Sequence, residues 1–328
     1  MSTTRFPARP VPPPSTISPE ARAAVAAGSP LASLLFSEPE PSPHDADGWR
    51  AFSQRRDAAA APYLAALAAR YPCAVTTHDV SGLTVHELVA PADPAAPGGL
   101  PVVLYLHGGG YTSGSGEATV HLARSTAHGL GLPVWAPDYR LPPDHPFPAA
   151  VDDAVASYAF LLERHRPEDV VVAGRSAGGG LAAAAVLRAR DQGLPLPAAC
   201  LLQTPEADLT ESGDSFALND GVDNFLRPLP HANALYAAGH DLRHPHLSPL
   251  FGDFGAGFPP TILTSGTRDL FLSNTVLLHR ALRRAGVRAD LHVWEAMGHG
   301  GFFETAPEDG EVWAELSAFL RTVVRPAA

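Results

Sequence analysis

An open, mostly parallel α/β sheet flanked by helices is predicted for this chain of 328 residues, on three observations. From residue 74 onward, short β-rich runs alternate with Ala/Leu-rich helical stretches, the texture of consecutive strand–helix–strand units. The run Val102-Val103-Leu104-Tyr105-Leu106 is apolar at every position, as a strand covered on both faces must be. Two glycine-rich segments, 107–110 and 174–180, directly follow such runs and put tight turns at strand ends.

Taken in order, residues 1–19 are Pro-rich and expected to be poorly ordered or draped on the surface. A helical pattern covers 20–36, interrupted at Gly28-Ser29-Pro30, and the breaker SEPEPSPHD follows it. The stretch 49–70 predicts a longer helix with Trp49, Phe52, Tyr63, Leu64 and Leu67 as candidate face residues. Such a helix either packs on the core or covers a site, and periodicity does not choose between the two. Strands are predicted at 75–77, 84–89, 102–106, 133–136, 169–173, 199–203, 261–265 and 291–294, and helices at 149–163, 181–190, 273–284 and 310–323. Residues 205–245 break the alternation. They carry Phe216, Leu218, Phe225, Leu226, Leu229 and Tyr236 among polar residues and prolines, which reads as an insertion between two strands. No internal repeat is visible.

Composition removes several classes of function. A hydrophobic share of 45% against 17% charged supplies a sizeable core and excludes wholesale disorder. The balance of 23 basic to 34 acidic residues, net -11, with no Lys/Arg run, argues against nucleic acid as a partner. Cys73 and Cys200 are too few for a disulfide framework, and each reads as a small buried hydrophobe. No run of about 18 apolar residues exists to span a membrane. MSTTRFPARPVPPPS has no apolar signal-peptide core, so the expected location is cytoplasmic.

The strongest chemical signal is Gly174-Arg175-Ser176-Ala177-Gly178. Gly-x-Ser-x-Gly alone is weak, but here an apolar strand precedes it and an Ala/Leu helix follows. That setting presents a serine hydroxyl on a strained turn at a helix N-terminus, where developing negative charge is favoured. The alternative is a glycine-rich turn with a spectator serine. The second signal is His107-Gly108-Gly109-Gly110-Tyr111, also directly after a strand. Acyl transfer needs donors already aimed at a forming oxyanion, and glycines let backbone N–H groups face inward. The N–H groups of Gly108, Gly109 and Ala177 are therefore the expected donors. A phosphate-binding loop is the competing reading, but the Lys and Ser/Thr of a P-loop are missing.

A serine nucleophile needs a base, and the base an orienting carboxylate. Composition cannot choose among 15 histidines, but chain order can, since the members run Ser, then Asp or Glu, then His. His299, in Met297-Gly298-His299-Gly300-Gly301-Phe302, and Asp269, in Ser265-Gly266-Thr267-Arg268-Asp269, both follow predicted strands. Both thus fall on the sheet edge where Ser176 lies, the ligand-binding edge of open α/β sheets. His292 alternates within a strand, and His107 suits anchoring the glycine loop better than acting as base. His240, His244 and His246 lack carboxylate or Cys partners at metal-ligand spacing, so no metal is expected. Asp208 lies too early in strand order and Asp290 at a strand start.

With HGGGY, GRSAGG and the GHGGF loop in this order, the chain resembles the hormone-sensitive-lipase-like branch of α/β-hydrolases, the bacterial family IV esterases. The segment PDYRLPPDHPFPAA at 137–150 is similar to that family's DYRLAPEHPFPAA stretch, whose expected work is packing beneath the oxyanion loop. The resemblance spans about 75–325 and implies an α/β-hydrolase fold with a helical cap. It places an N-terminal cap segment at 1–72, a catalytic domain at 73–328 and a second cap segment at about 205–245. It implies a serine carboxylesterase for short- to medium-chain acyl esters, working with Ser176, Asp269 and His299. His107, Gly110, Gly174 and Gly178 support the motifs. No cofactor is required. The partner is a small ester, and many relatives dimerise through the last strand and helix, here around Leu291-His292-Val293-Trp294.

Two departures stand out. Arg175 replaces the usual Asp, Glu or Thr before the nucleophile. It could fix a nearby carboxylate, sense substrate charge, or point away from the site as a neutral swap, the last being the expectation. Asp269-Leu270-Phe271 lacks the family's proline, which puts the local loop shape in question. A lactone or amide hydrolase, or an acyl-transfer enzyme, could use the same triad. A non-catalytic receptor on the same fold would lack the base that His299 supplies.

Overall fold

The computed structural model describes residues 10–29, 31–32, 38–91, 101–255 and 257–324. Two helices come first, α1 (Pro19–Ala27) and α2 (Ala46–Arg70). A hairpin follows, β1 (Ala74–Val80) and β2 (Leu83–Val89), turned at Ser81 and Gly82 with φ of 55° and 88°. Positive φ at both turn residues matches the twist of the paired strands. The strand–helix alternation then runs β3 (Val102–Leu106), α3 (Glu117–Leu130), β4 (Val134–Pro137), α4 (Ala149–Leu162), β5 (Val170–Arg175), α5 (Ala177–Asp191) and β6 (Ala199–Gln203). After it come α6 (Ser215–Leu218), α7 (Pro230–Ala237), β7 (Thr261–Gly266), α8 (Leu272–Arg284), β8 (Ala289–Trp294) and α9 (Pro307–Val323).

The eight strands form one sheet in the order β1-β2-β4-β3-β5-β6-β7-β8. It is antiparallel at β1/β2 and β2/β4 and parallel from β4 to β8. Side-chain alternation sorts the core into two layers. Leu104, Leu106, Val170, Val172 and Leu202 face α4, α5 and α8, whereas Val103, Tyr105, Val171, Ala173 and Leu201 face α3 and α9. Because both faces are covered, these strands are apolar at every position and not at alternate ones.

Helix α3 is absent from the sequence prediction. Its apolar positions Val120, Ala123 and Ala127 are diluted by Thr119, His121, Ser125, Thr126 and His128. Tertiary burial of Ala123 and Ala127 against the sheet stabilises it despite that composition. The legible signal was the stop, Gly131 in the left-handed conformation at φ 64°. Helix α5 also begins four residues earlier than the periodicity indicated, at Ala177 directly after Ser176.

Residues 1–9 lie outside the described residues, as do parts of the predicted 20–36 helix, of which α1 is described. Residues 10–18 lie along the surface and are tied down. Arg268 donates to the Val11 and Pro12 carbonyls, and Ser18 donates twice to the Glu308 carboxylate. Cys200 is fully buried, but Cys73 is only half-buried, so the expectation of two buried thiols holds for one of them.

Candidate active site

The strand order reverses direction at β3. The α3 connection leads from β3 to β4 on one side, and α4 carries the chain back over to β5 on the other. At such a switch point, loops leaving the carboxyl ends of adjacent strands diverge and leave a crevice. The strands meeting there are β3 and β5, so the 107–110 loop and Ser176 become neighbours.

Ser176 has φ 58° and ψ −126°, a strained conformation for a residue with a side chain. The turn is held closed by close backbone approach. A Cβ at Gly174 would stand 2.1 Å from the Gly178 carbonyl oxygen, and one at Gly178 would stand 2.0 Å from that of Leu106. No side chain fits at either position.

The residues picked out by chain order come together. The Ser176 hydroxyl donates to His299 Nε2 at 2.8 Å, and His299 Nδ1–H donates to Asp269 Oδ1 at 2.9 Å. Asp269 is fully buried. Oδ1 also accepts from the Phe271 N–H at 2.9 Å, and Oδ2 from the Ser265 hydroxyl at 2.6 Å. Such donors fix the plane of the carboxylate. Phe271 packs edge-on to the imidazole at 4.8 Å and Phe225 lies parallel to it at 6.2 Å.

Gly108 lies against Ser176, its position allowing a Cβ only 3.1 Å from Ser176 Cβ. Gly109 has φ 135° and Gly110 φ 59°. Gly108 and Gly109 line one cavity with Ser176. Among the described residues, the N–H groups of Gly108, Gly109 and Ala177 make no loop or turn backbone hydrogen bond. His107 anchors this loop. Its Nδ1–H donates to the Gly108 carbonyl at 2.8 Å and its ring stacks on Tyr139 at 4.1 Å, while the Tyr139 hydroxyl donates to the His107 carbonyl at 2.7 Å. Tyr139 belongs to the 137–150 segment, which therefore packs under the loop. Burial pushes the His107 imidazole down to about 4, so it is neutral near pH 7.

The rival residues lie elsewhere. His292 is on edge strand β8, 3.6 Å from Glu315. His240 and His244 surround Phe147, and His246 pairs with Asp191. No cluster of three or more His, Cys, Asp or Glu side chains suited to a metal exists among the described residues. Asp208 closes a local turn onto Thr210 and Ser212, and Asp290 faces Arg288 at 3.9 Å.

Arg175 does not point away from the site: Nη2 donates to the His299 carbonyl at 3.1 Å. Two further residues escaped the sequence reading. Asp223, in the insertion, is fully buried and accepts from the His299 N–H at 3.2 Å. Its only sequence signal is an acidic side chain next to Phe225 and Leu226. Glu206 sits behind Ser176, its N–H donating to the Ser176 carbonyl at 2.9 Å. Its carboxyl oxygens are buried without a hydrogen-bond partner among the described residues.

Burial, with the charges of Glu211 and Glu40 adding to it, pushes Glu206 up to about 8. Between about pH 4.5 and about pH 8 the unfolded chain sheds this proton while the folded chain keeps it. Stability present at low pH is therefore lost as pH rises through that window. Glu206→Gln removes the loss. The Tm gain of this variant over the parent should be small at about pH 5 and largest at about pH 9. An equal Tm difference at both values, in thermal melts, would contradict the assignment.

A cavity of about 210 Å³ opens over Ser176 and His299. Helix α2 lines it with Tyr63, Leu64 and Leu67, and the insertion lines it with Phe225, Leu226 and Leu229. These two segments also pack on each other, Trp49 and Phe52 of α2 sharing a cluster with Leu226, Leu229 and Leu235. A smaller cavity, about 50 Å³, lies behind the histidine loop between Arg175, Thr204, Asp309 and Trp313. No helix among the described residues is long and apolar enough to cross a membrane.

A strand–serine–helix turn, an imidazole and a buried carboxylate at one sheet edge define the class: residues 103–303 match the alpha/beta hydrolase fold family. An acetyl-hydrolase of Streptomyces hygroscopicus is 40% identical over 225 residues, 67% of this chain and 75% of the relative. A crystal structure of an esterase superposes with a TM-score of 0.89 at 34% identity, covering 98% of this chain and 99% of the other. Another, an esterase from the bacterial hormone-sensitive lipase family, gives 0.76 at 31% identity over 94% of this chain and 99% of its own. The chain belongs to the α/β hydrolases and, within them, to the hormone-sensitive-lipase-like esterases of bacterial family IV, which are ester-cleaving serine hydrolases.

Proposed function

We propose that the protein is a carboxylesterase for short- to medium-chain acyl esters, with Ser176 as nucleophile, His299 as general base and acid, and Asp269 as the orienting carboxylate. The observation that carries this reading is the unbroken hydrogen-bonded chain from the Ser176 hydroxyl through His299 to buried Asp269, opening into an apolar cavity of about 210 Å³. Ser176 Oγ attacks the ester carbonyl as His299 Nε2 takes its proton. Asp269 holds Nδ1 protonated and stabilises the imidazolium. The N–H groups of Gly108, Gly109 and Ala177 receive the oxyanion, each donor contributing about 3–4 kcal/mol in a site of this kind. His299 then protonates the departing alcohol and activates the water that releases the acid.

Residues 1–72 and about 205–245 act together as a two-part cap on the catalytic domain, 73–328. Support comes from α2 and the insertion, which wall the cavity jointly. The apolar lining and modest volume favour short acyl chains. Hydrolysis of p-nitrophenyl esters from acetate to laurate tests this: activity should peak at the short chains. A maximum at laurate would contradict the chain-length assignment, and no hydrolysis at any length would overturn the esterase reading.

A further inference from the structure

We propose that Asp223 and Arg175 form a two-sided clamp on the backbone of His299, and that both are positioning residues setting the imidazole against Ser176. The inference rests on the triad reading above. Oδ2 of Asp223 accepts from the His299 N–H at 3.2 Å, and Arg175 Nη2 donates to the His299 carbonyl at 3.1 Å. One residue thus has both backbone polar atoms held by charged side chains from different elements. Arg175 ends β5 and immediately precedes the nucleophile, while Asp223 comes from the insertion.

A turn-forming aspartate would account for only half of what Asp223 does. Oδ1 accepts from its own chain, the N–H groups of Phe225 and Leu226 at 2.9 and 3.1 Å. Oδ2 serves two other loops: besides His299 it accepts from Leu270 N–H at 2.8 Å, the residue after Asp269. A single oxygen therefore joins the loop of the orienting carboxylate to the loop of the base. This placement is electrostatically costly. Burial and then the neighbouring charge of Asp269 raise Asp223 above the usual carboxylate range, with His299 and the backbone donors opposing. A carboxylate kept there at such cost fits a role in setting the site.

The same segment supplies Phe225, Leu226 and Leu229 to the cavity wall. Substrate pressing on that wall thus acts on the turn that grips the base. On the other side, Arg175 links nucleophile and base through one side chain. Movement of a reacting group by about 1 Å can cost about 100-fold in rate, which gives such a clamp its value.

Among the described residues, the charged groups nearest the imidazole are Asp269 from the loop after β7, Asp223 from the insertion and Arg175 from β5, and Arg56 and Asp57 of α2 line the same cavity. Beyond Arg175 stand Glu304 and Asp309. Their signs predict opposite effects. Losing the Asp223 charge makes the imidazolium harder to form and moves the acid limb of the kcat/KM profile to lower pH. Losing the Arg175 charge moves it to higher pH.

The test is the pH profile of p-nitrophenyl acetate hydrolysis by the full chain, for the parent, Asp223→Asn, Arg175→Met and Ser176→Ala, each checked for folding by circular dichroism. Expected are a fall in kcat of about 10- to 100-fold in each clamp variant with KM changed less than about threefold, and acid limbs displaced in opposite directions. Folded clamp variants with parental kcat, or with only a lowered Tm and unmoved acid limbs, would overturn the clamp. Should Asp223→Asn not fold, Arg175→Met decides alone by the same two readouts. Activity surviving in Ser176→Ala would instead sink the triad reading, so the two failures are distinct.

Discussion

Ser176→Ala is expected to lower kcat/KM for p-nitrophenyl acetate by about 10⁴- to 10⁶-fold. In the proposed mechanism the hydroxyl oxygen forms the acyl bond, and nothing beside it can substitute. Residual catalysis should come only from binding and from the donors at Gly108, Gly109 and Ala177, which remain in place. The variant keeps the strained backbone at φ 58°, since alanine meets the same steric cost there as serine. Circular dichroism and Tm should therefore match the parent. Labelling of the protein by a fluorophosphonate, read by mass, should disappear together with turnover. Turnover within about tenfold of the parent in a folded variant would remove Ser176 from the mechanism.

Asp269→Asn is the second large effect, a loss of about 10³- to 10⁴-fold in kcat. The carboxylate now accepts from His299 Nδ1–H, the Phe271 N–H and the Ser265 hydroxyl, all donors. An amide brings an NH₂ group into this ring of donors. Placed toward His299, it forces the proton from Nδ1 to Nε2, the atom proposed to take the serine proton. Placed toward Ser265, it keeps the tautomer but loses the charge that stabilises the imidazolium. Both routes cut kcat, with KM little changed because Asp269 does not line the cavity. Steady-state kinetics at the pH optimum read the effect. A loss under about tenfold would point to Asp223, also buried beside His299, as the carboxylate that supports the base.

Much of the site was legible in sequence because its parts are local. The tight turn at Ser176 needs glycines within two residues on either side, and the donors proposed at 108 and 109 need them directly after a strand. Chain order then restricted Asp269 and His299 to loops after later strands. What was not legible was the second layer. Arg175 looked like a bystander because its partner, the His299 carbonyl, lies 124 residues away. Asp223 looked like one polar residue in an irregular insertion, and its links to Leu270 and His299 exist only once three loops converge. Glu206 carries no sequence mark of full burial, since acidic side chains are ordinarily exposed.

The fold divides in the same way. By itself the sequence determined the strand–helix alternation and the two-face covering of the central strands, because apolar periodicity is a property of neighbours along the chain. It also determined which serine stands on a strained turn. Only the tertiary structure decided that 117–130 is a helix, since its weak pattern is stabilised by burial against the sheet. Only there did α2 and the insertion become one wall over Ser176, because their shared cluster joins Trp49 and Phe52 to residues far along the chain. Contacts of that range leave no local pattern to read, and their free energy exists only when the chain has closed around them.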